Sequence, residues 1–293
     1  MPHAAFLAAL FGLLTAIGWG LSDFWSARAT KALGPITTLF YVNLIGAAAY
    51  AIVYILFLHP HVAITQAGFI YTLLESLLVT VAAILFYKSL DAGPVSLVSP
   101  ISGAYPLVST LLAIIVFQAH VSLLQAAAIC VVVLGVMAAS GVFSIKNTGQ
   151  RISRGPLLAV IAIFFYGSGF TCAAQAVNQL GWQLPILISW FASLPIMLIP
   201  FVRGKEHIFA GARRALSNRF LAGSALIGVT AYVTMNLGFS HDKAAGAITI
   251  AVSACYPALT MVLAIRHFKE KMTLVPLLGA IATIAGVVLL TLA

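Results

Sequence analysis

Apolar residues in this chain run on for some twenty positions at a time, and short polar or Gly/Pro-rich breaks divide the runs. A helix needs about 20 apolar residues to cross about 30 Å of hydrocarbon. Read this way, the pattern predicts ten spans, at roughly 4–27, 36–58, 67–89, 94–117, 121–143, 155–177, 183–202, 217–240, 244–266 and 272–292. Most connectors are only a few residues long; the longer polar ones run from Ser144 to Arg154 and from Arg203 to Leu216. Helices satisfy their own backbone in a medium without water, so the expected architecture is an all-α integral membrane bundle.

Sliding the chain on itself exposes a repeat. At a shift of 151, twelve of the 52 positions from 89 to 140 meet an identical residue, including Tyr105-Pro106 on Tyr256-Pro257 and Gly135-Val136 on Gly286-Val287. A shift of 147 sets Gly20 on Gly167, Leu33-Gly34 on Leu180-Gly181 and Trp19 on Tyr166. The chain therefore reads as two five-helix units, 1–145 and 150–293. Five is odd, so the second unit has to enter the membrane from the opposite face.

Composition narrows the class. Of 293 residues 62% are apolar and 7% charged, with a mean hydropathy of +1.10. A soluble domain carries roughly a quarter charged residues, so a soluble enzyme, a disordered chain and a coiled coil are all excluded. The net charge of +9 does not signal nucleic acid, because the basic residues sit in the gaps between apolar runs. After spans 1, 3, 5, 7 and 9 the gaps and helix ends hold fourteen Lys and Arg, from Arg28 to Lys271; the termini and the other gaps hold Lys243 alone. By the positive-inside rule both termini lie on the outer (periplasmic) side of a cell (inner/plasma) membrane. The same bias appears within the repeat, where Phe117-Gln118-Ala119-His120 aligns with Phe268-Lys269-Glu270-Lys271. Opposed halves of this kind make an inverted repeat, the plan of transporters that alternate access around a midplane site. Cys130, Cys172 and Cys255 lack paired spacing, so neither a disulfide framework nor a metal site is expected. Met1-Pro2-His3-Ala4 lacks the basic region of a signal peptide, so the first run is expected to stay as a span.

On the Trp19-Gly20 pair, its Tyr166-Gly167 echo, the two Tyr-Pro pairs and the short turns before spans 4 and 9, the chain resembles the drug/metabolite transporter superfamily in its ten-helix EamA-type branch. The resemblance covers essentially the whole chain, and within the branch it looks most like the YddG-type exporters of amino acids. It implies a secondary transporter.

Candidate site residues follow from depth. Trp19, Tyr105, Tyr166 and Tyr256 fall near the middle of spans 1, 4, 6 and 9, whereas interfacial belts keep Trp and Tyr at helix ends. A buried hydroxyl needs a partner, which an inward-facing cavity would supply; packing between helices is the alternative. Trp190, Tyr232, Asn43, Ser99 and Asn236 are weaker members of the same proposed substrate lining. Glu75 is the deepest carboxylate, either a proton-exchange or amine-gripping group or a hydrogen-bonded structural residue. Asp23 reads as the partner of a helix-end charge near Arg28 and Lys88. Pro106 and Pro257 remove a backbone donor and kink spans 4 and 9, which suits a gate or a static bend. Gly18, Gly20, Gly167 and Gly169 permit close helix contact or a local backbone opening, and Gly135, Gly279 and Gly286 suggest that spans 5 and 10 pack together.

The histidines lie in loops or at helix ends, so Ser168 lacks an activating base and catalysis is not expected. Phosphate-binding loops are absent, and no cofactor is expected. The leading expectation is export of a small neutral or zwitterionic metabolite, an amino acid first, across the lipid bilayer, with no nucleic-acid partner and with the monomer as the working unit. The runner-up is efflux of lipophilic cations, although the span-1 glutamate of the small multidrug proteins has no counterpart near Trp19 unless Glu75 substitutes. Sugar-phosphate carriage lacks a fixed midplane cation. A scramblase, a channel and an intramembrane enzyme stand further back.

Overall fold

The structure, a computed structural model, describes residues 2–58, 64–117, 122–139, 154–202, 212–239, 249, 252–253 and 255–292. Nearly all of these are helical, with no strand among them. The helices are α1 (Pro2–Leu33), α2 (Pro35–Val53, ending in a π-turn at Tyr54–Leu58), α3 (Gln66–Ala92), α4 (Val95–Ser102), α5 (Tyr105–Phe117) and α6 (Leu123–Ala139). The second half supplies α7 (Arg154–Leu180), α8 (Gln183–Val202), the short α9 (Ala212–Leu216), α10 (Arg219–Phe239), α11 (Tyr256–Phe268) and α12 (Leu274–Leu292). Among the described residues five stretches are long and apolar enough to cross a membrane: Phe6–Leu33, Pro35–Leu58, Gln66–Ala92, Arg154–Leu180 and Arg219–Gly238. Much of span 9 as expected, and the segments holding His59, His61, His120, His207, His241, Lys146, Arg151 and Lys243, lie outside the described residues.

Local chemistry explains the boundaries. Gly34 ends α1 at φ 85° and Gly181 ends α7 at φ 69°, backbone conformations that a side chain resists. Pro35 then opens α2, where a missing N–H is harmless. Thr65 caps α3 by accepting from the Gly68 N–H at 3.1 Å. Asn218 accepts from the N–H groups of Phe220 and Leu221 at the start of α10.

Span 4 is interrupted rather than kinked. Proline at 106 cannot donate back to the preceding turn, so α4 stops at Ser102, the chain turns through Gly103-Ala104, and α5 restarts with Pro106 in its first turn. Tight bonds close the turn, from Ala104 N to Ile101 O and from Leu107 N to Ala104 O. The corresponding bonds, 151 residues on, run from Cys255 N to Val252 O and from Ala258 N to Cys255 O. Both proline sites are thus the same broken-helix device.

The halves interlock in matched pairs. The long helix α3 lies against α7, α1 lies against α10, α4 crosses α11, and α6 packs along α12. Backbones meet closely in the last pair. A Cβ on Gly135 would fall 2.6 Å from the Thr283 nitrogen, and one on Gly279 would fall 2.5 Å from the Ala139 nitrogen. Large apolar side chains such as Phe57, Ile115 and Phe164 point outward. In water that surface would be an aggregation hazard; in lipid it is the solvated face.

Candidate functional site

Helical spacing aims several large residues inward from different elements. Trp19 and Asp23 share one face of α1, four residues apart, as Tyr166 and Phe170 do on α7. Tyr105 and Tyr256 are the first residues after the two helix breaks. Together with Phe86 and Tyr87 of α3, these side chains enclose a cavity of about 170 Å³. Ser22 of α1, Leu39, Val42 and Asn43 of α2, Val79 and Ala83 of α3, Trp190 of α8, and Gly228 and Tyr232 of α10 complete the wall.

The rings touch in a defined order. Phe170 is the hub, with centroids 4.8 Å from Tyr105, 5.9 Å from Tyr166 (stacked) and 6.0 Å from Trp19. Trp19 meets Tyr256 edge-on at 5.6 Å, and Phe86 meets Tyr166 at 6.3 Å. Offset and edge-on contacts of this kind each contribute about 0.5–1.5 kcal/mol beyond burial.

Two equivalent anchor points hold the rings in place. The Thr260 hydroxyl donates to the Gly20 carbonyl at 3.0 Å, and the Ser109 hydroxyl donates to the Gly167 carbonyl at 2.9 Å. A Cβ on Gly20 would meet the Tyr256 carbonyl oxygen at 3.0 Å, and one on Gly167 would meet the Tyr105 carbonyl oxygen at 2.7 Å. Each residue here corresponds to its mate at the shifts of 147 and 151. These glycines therefore serve close helix contact, and α1 and α7 stay helical through them, without the local opening that the sequence also allowed.

A smaller chamber of about 80 Å³ adjoins the first and shares Asn43, Val79, Ala83, Trp190 and Tyr232 with it. Glu75 belongs to this chamber and is only 2% exposed. The Tyr232 hydroxyl donates to Glu75 Oε1 at 2.5 Å, and Ser189 lines the same space. The Ser76 hydroxyl donates to the Ser189 carbonyl, tying α3 to α8. The Trp190 ring sits on Gly46, where a Cβ would collide with it, and meets Tyr232 edge-on at 6.3 Å.

Asp23 corrects the sequence reading. It lines the main cavity, with Oδ2 sealed from solvent and lacking a hydrogen-bond partner. Ser99 lies beside it, outside hydrogen-bond geometry. The expected helix-end pairing with Arg28 is absent, since that guanidinium stacks 3.7 Å over the Phe220 ring. Nearby, the hydroxyls of Ser22, Ser224, Ser26 and Tyr87 form a continuous hydrogen-bonded chain across α1, α10 and α3. Among the described residues, neither chamber is lined by a Lys, Arg or His.

The other candidates divide. Trp19, Tyr105, Tyr166, Tyr256, Trp190, Tyr232 and Asn43 meet around the main cavity, and Glu75 around the smaller one. Ser99 is fully buried and lines neither; Asn236 is buried too, its amide donating to the Tyr232 carbonyl at 2.8 Å. Both were placed by depth in the span, which says nothing about facing. Pro106 is buried in the break, and Pro257 packs on Gly103 at the opposing one. The sequence reading missed Asp23, Phe170, Phe86 and Tyr87 as lining residues. The first two were findable, because each follows a chosen aromatic by one helical turn. Among the described residues no three His, Cys, Asp or Glu side chains gather to hold a metal.

One further contact ties the halves. Glu270, in the turn between α11 and α12, accepts from the N–H groups of Val95 and Ser96, each at 2.9 Å, one carboxylate oxygen apiece. It thereby caps the first turn of α4. The preceding Lys269 takes a left-handed φ of 53°, which turns the chain at the end of α11.

Comparison with known proteins agrees with this arrangement. A crystal structure of a protein aligns over 97% of this chain and 97% of its own with a TM-score of 0.64; at 13% identity the likeness concerns the fold alone. An uncharacterized protein of Methanocaldococcus jannaschii is 27% identical over 131 residues, which make up 44% of this chain and 93% of that one. The EamA-like transporter family matches twice, over residues 6–141 and 153–292. The chain belongs to the EamA-like transporter family, membrane transporters of the drug/metabolite transporter superfamily and not enzymes.

Proposed function

We propose that the protein is a secondary exporter of small metabolites, amino acids first, working by alternating access around the aromatic cavity. The carrying observation is that four aromatic residues, two from each half, converge on one chamber between the halves. The two halves are read as inverted five-helix repeats, 1–145 and 150–293, with both termini on the outer face of the inner or plasma membrane. The equivalent anchor points at Gly20 and Gly167 and the matched helix breaks support this. So does the half-length relative, nearly all of which corresponds to less than half of this chain. The broken helices, with Pro106 and Pro257, are the proposed gates, and Glu75 the proposed proton-exchanging group. The test is uptake of a panel of labelled amino acids into sealed proteoliposomes, with and without a pH gradient. Uptake no faster than in protein-free vesicles for every member would overturn the reading.

A second reading, efflux of lipophilic cations, gains from one observation. Asp23 supplies, one turn from Trp19, the intramembrane carboxylate that the sequence reading found lacking in span 1.

A further inference from the structure

Among the described residues, the Asp23 carboxylate stands in a setting unlike those of Glu75 and Glu270. It lines the main cavity, and among the described residues its Oδ2 has no hydrogen-bond partner and no cation lines the space around it. Glu75, by contrast, already accepts a hydrogen bond from Tyr232, and Glu270 accepts from two backbone N–H groups. A carboxylate in a bundle interior needs a proton or a positive partner, and unpaired it is strongly disfavoured. The cavity wall offers hydroxyls and ring faces around it, those of Tyr87, Tyr166 and Tyr256. Ring faces attract cations, and the attraction grows when water is excluded.

The repeat sharpens the point. At the shift of 147, Asp23 corresponds to Phe170, and both line the same chamber. Equivalent positions of the two halves thus present a carboxylate from one side and the hub of the ring cluster from the other. An object fitting between them has a charged end and a flat or greasy end. A chamber of about 170 Å³ is on the scale of a small molecule. A zwitterion brings a second negative charge into a wall that has no Lys, Arg or His to receive it.

We propose that Asp23 is the anchoring site for a positively charged nitrogen, so that the preferred cargo is a small organic ammonium whose apolar body rests on Trp19, Phe170 and Tyr256. This rests on the second reading above, efflux of cations, and names its anchor and its cargo class: amines without a carboxylate.

Three compounds sharing one ring separate the possibilities: phenethylamine, phenylalanine and phenethyl alcohol. Binding of each labelled compound to the purified full chain is measured by equilibrium dialysis, for wild type, Asp23→Asn and Asp23→Glu. Phenethylamine should bind the wild type best, and Asp23→Asn should weaken it about tenfold or more, with the alcohol changed by less than about twofold. Asp23→Glu, which keeps the charge, should keep the preference for the amine and guards against a variant that merely folds poorly. Equal amine binding in Asp23→Asn, a wild type that prefers phenylalanine or the alcohol, or no amine binding at all would each overturn the proposal. Transport by the same proteins in vesicles is scored separately. Amine binding through Asp23 without transport defeats the exporter reading and leaves the anchor, whereas transport indifferent to Asp23 removes the anchor alone.

Discussion

Glu270 is a single side chain joining the two halves at the start of a broken helix, and its removal should have a readable effect. Both carboxylate oxygens accept backbone N–H groups of α4 at 2.9 Å. A hydrogen bond to a charged group contributes about 1.5–3 kcal/mol when buried. Glu270 is only half-buried, and water will take over part of that role, so the pair together is worth about 2 kcal/mol. Glu270→Ala should remove all of it, and Glu270→Gln about half, since one amide oxygen still accepts while the amide NH₂ faces the second donor. If the contact exists in only one conformation, about 2 kcal/mol shifts the balance of conformations roughly 30-fold. Spin labels at Ala92 and Lys271, both exposed, flank the contact in a cysteine-free background. Pulsed dipolar spectroscopy should give one narrow distance for wild type, a second longer population for Glu270→Gln and a larger one for Glu270→Ala. The repeat mate of Glu270 is Ala119, so the effect should be confined to this side of the molecule. Superimposable distance distributions in all three proteins would refute the reasoning.

Glu75→Gln keeps an acceptor for the Tyr232 hydroxyl and removes a titratable group, so pH-driven uptake should vanish while exchange without a gradient persists; unchanged pH-driven uptake would leave Glu75 structural. Gly279→Leu forces a side chain against the Ala139 backbone, and overpacking of this kind costs about 1–3 kcal/mol, read as a lower melting temperature and weaker α6–α12 association. Phe170→Ala removes the ring that joins Trp19, Tyr105 and Tyr166, and should reduce transport of large apolar cargo more than small, with expression matched. Equal loss for every cargo would indicate packing alone. For orientation, a cysteine at Gln66 should react with an impermeant thiol reagent in intact cells and one at Lys271 should not; labelling at Lys271 would reverse the proposed sidedness.

Much of this was legible because its causes are local or additive. Hydrocarbon thickness and backbone satisfaction make runs of about twenty apolar residues into helices, whatever their neighbours. The repeat was legible at Tyr-Pro and Leu-Gly, because proline and glycine act on their own backbone, and the structure shows the consequence at the matched breaks and at Gly34 and Gly181. The depth of the four central aromatics follows from position within a span.

Facing did not follow. A helix apolar on every side gives no stripe to say which way it is turned, and each residue turns the direction by about 100°. Ser99 and Asn236 have suitable depth and line neither chamber, while Asp23, read as a helix-end charge, lines the main one. The pairing of Glu75 with Tyr232 joins residues 157 positions apart, and that of Glu270 with α4 joins residues 175 apart. The sequence by itself determined a ten-run apolar chain with two related halves and aromatics at mid-depth. Only the tertiary structure decided which face of each helix meets the chamber and that Asp23 is on it, because rotation and register come from side-chain packing between helices, and no single run contains that information.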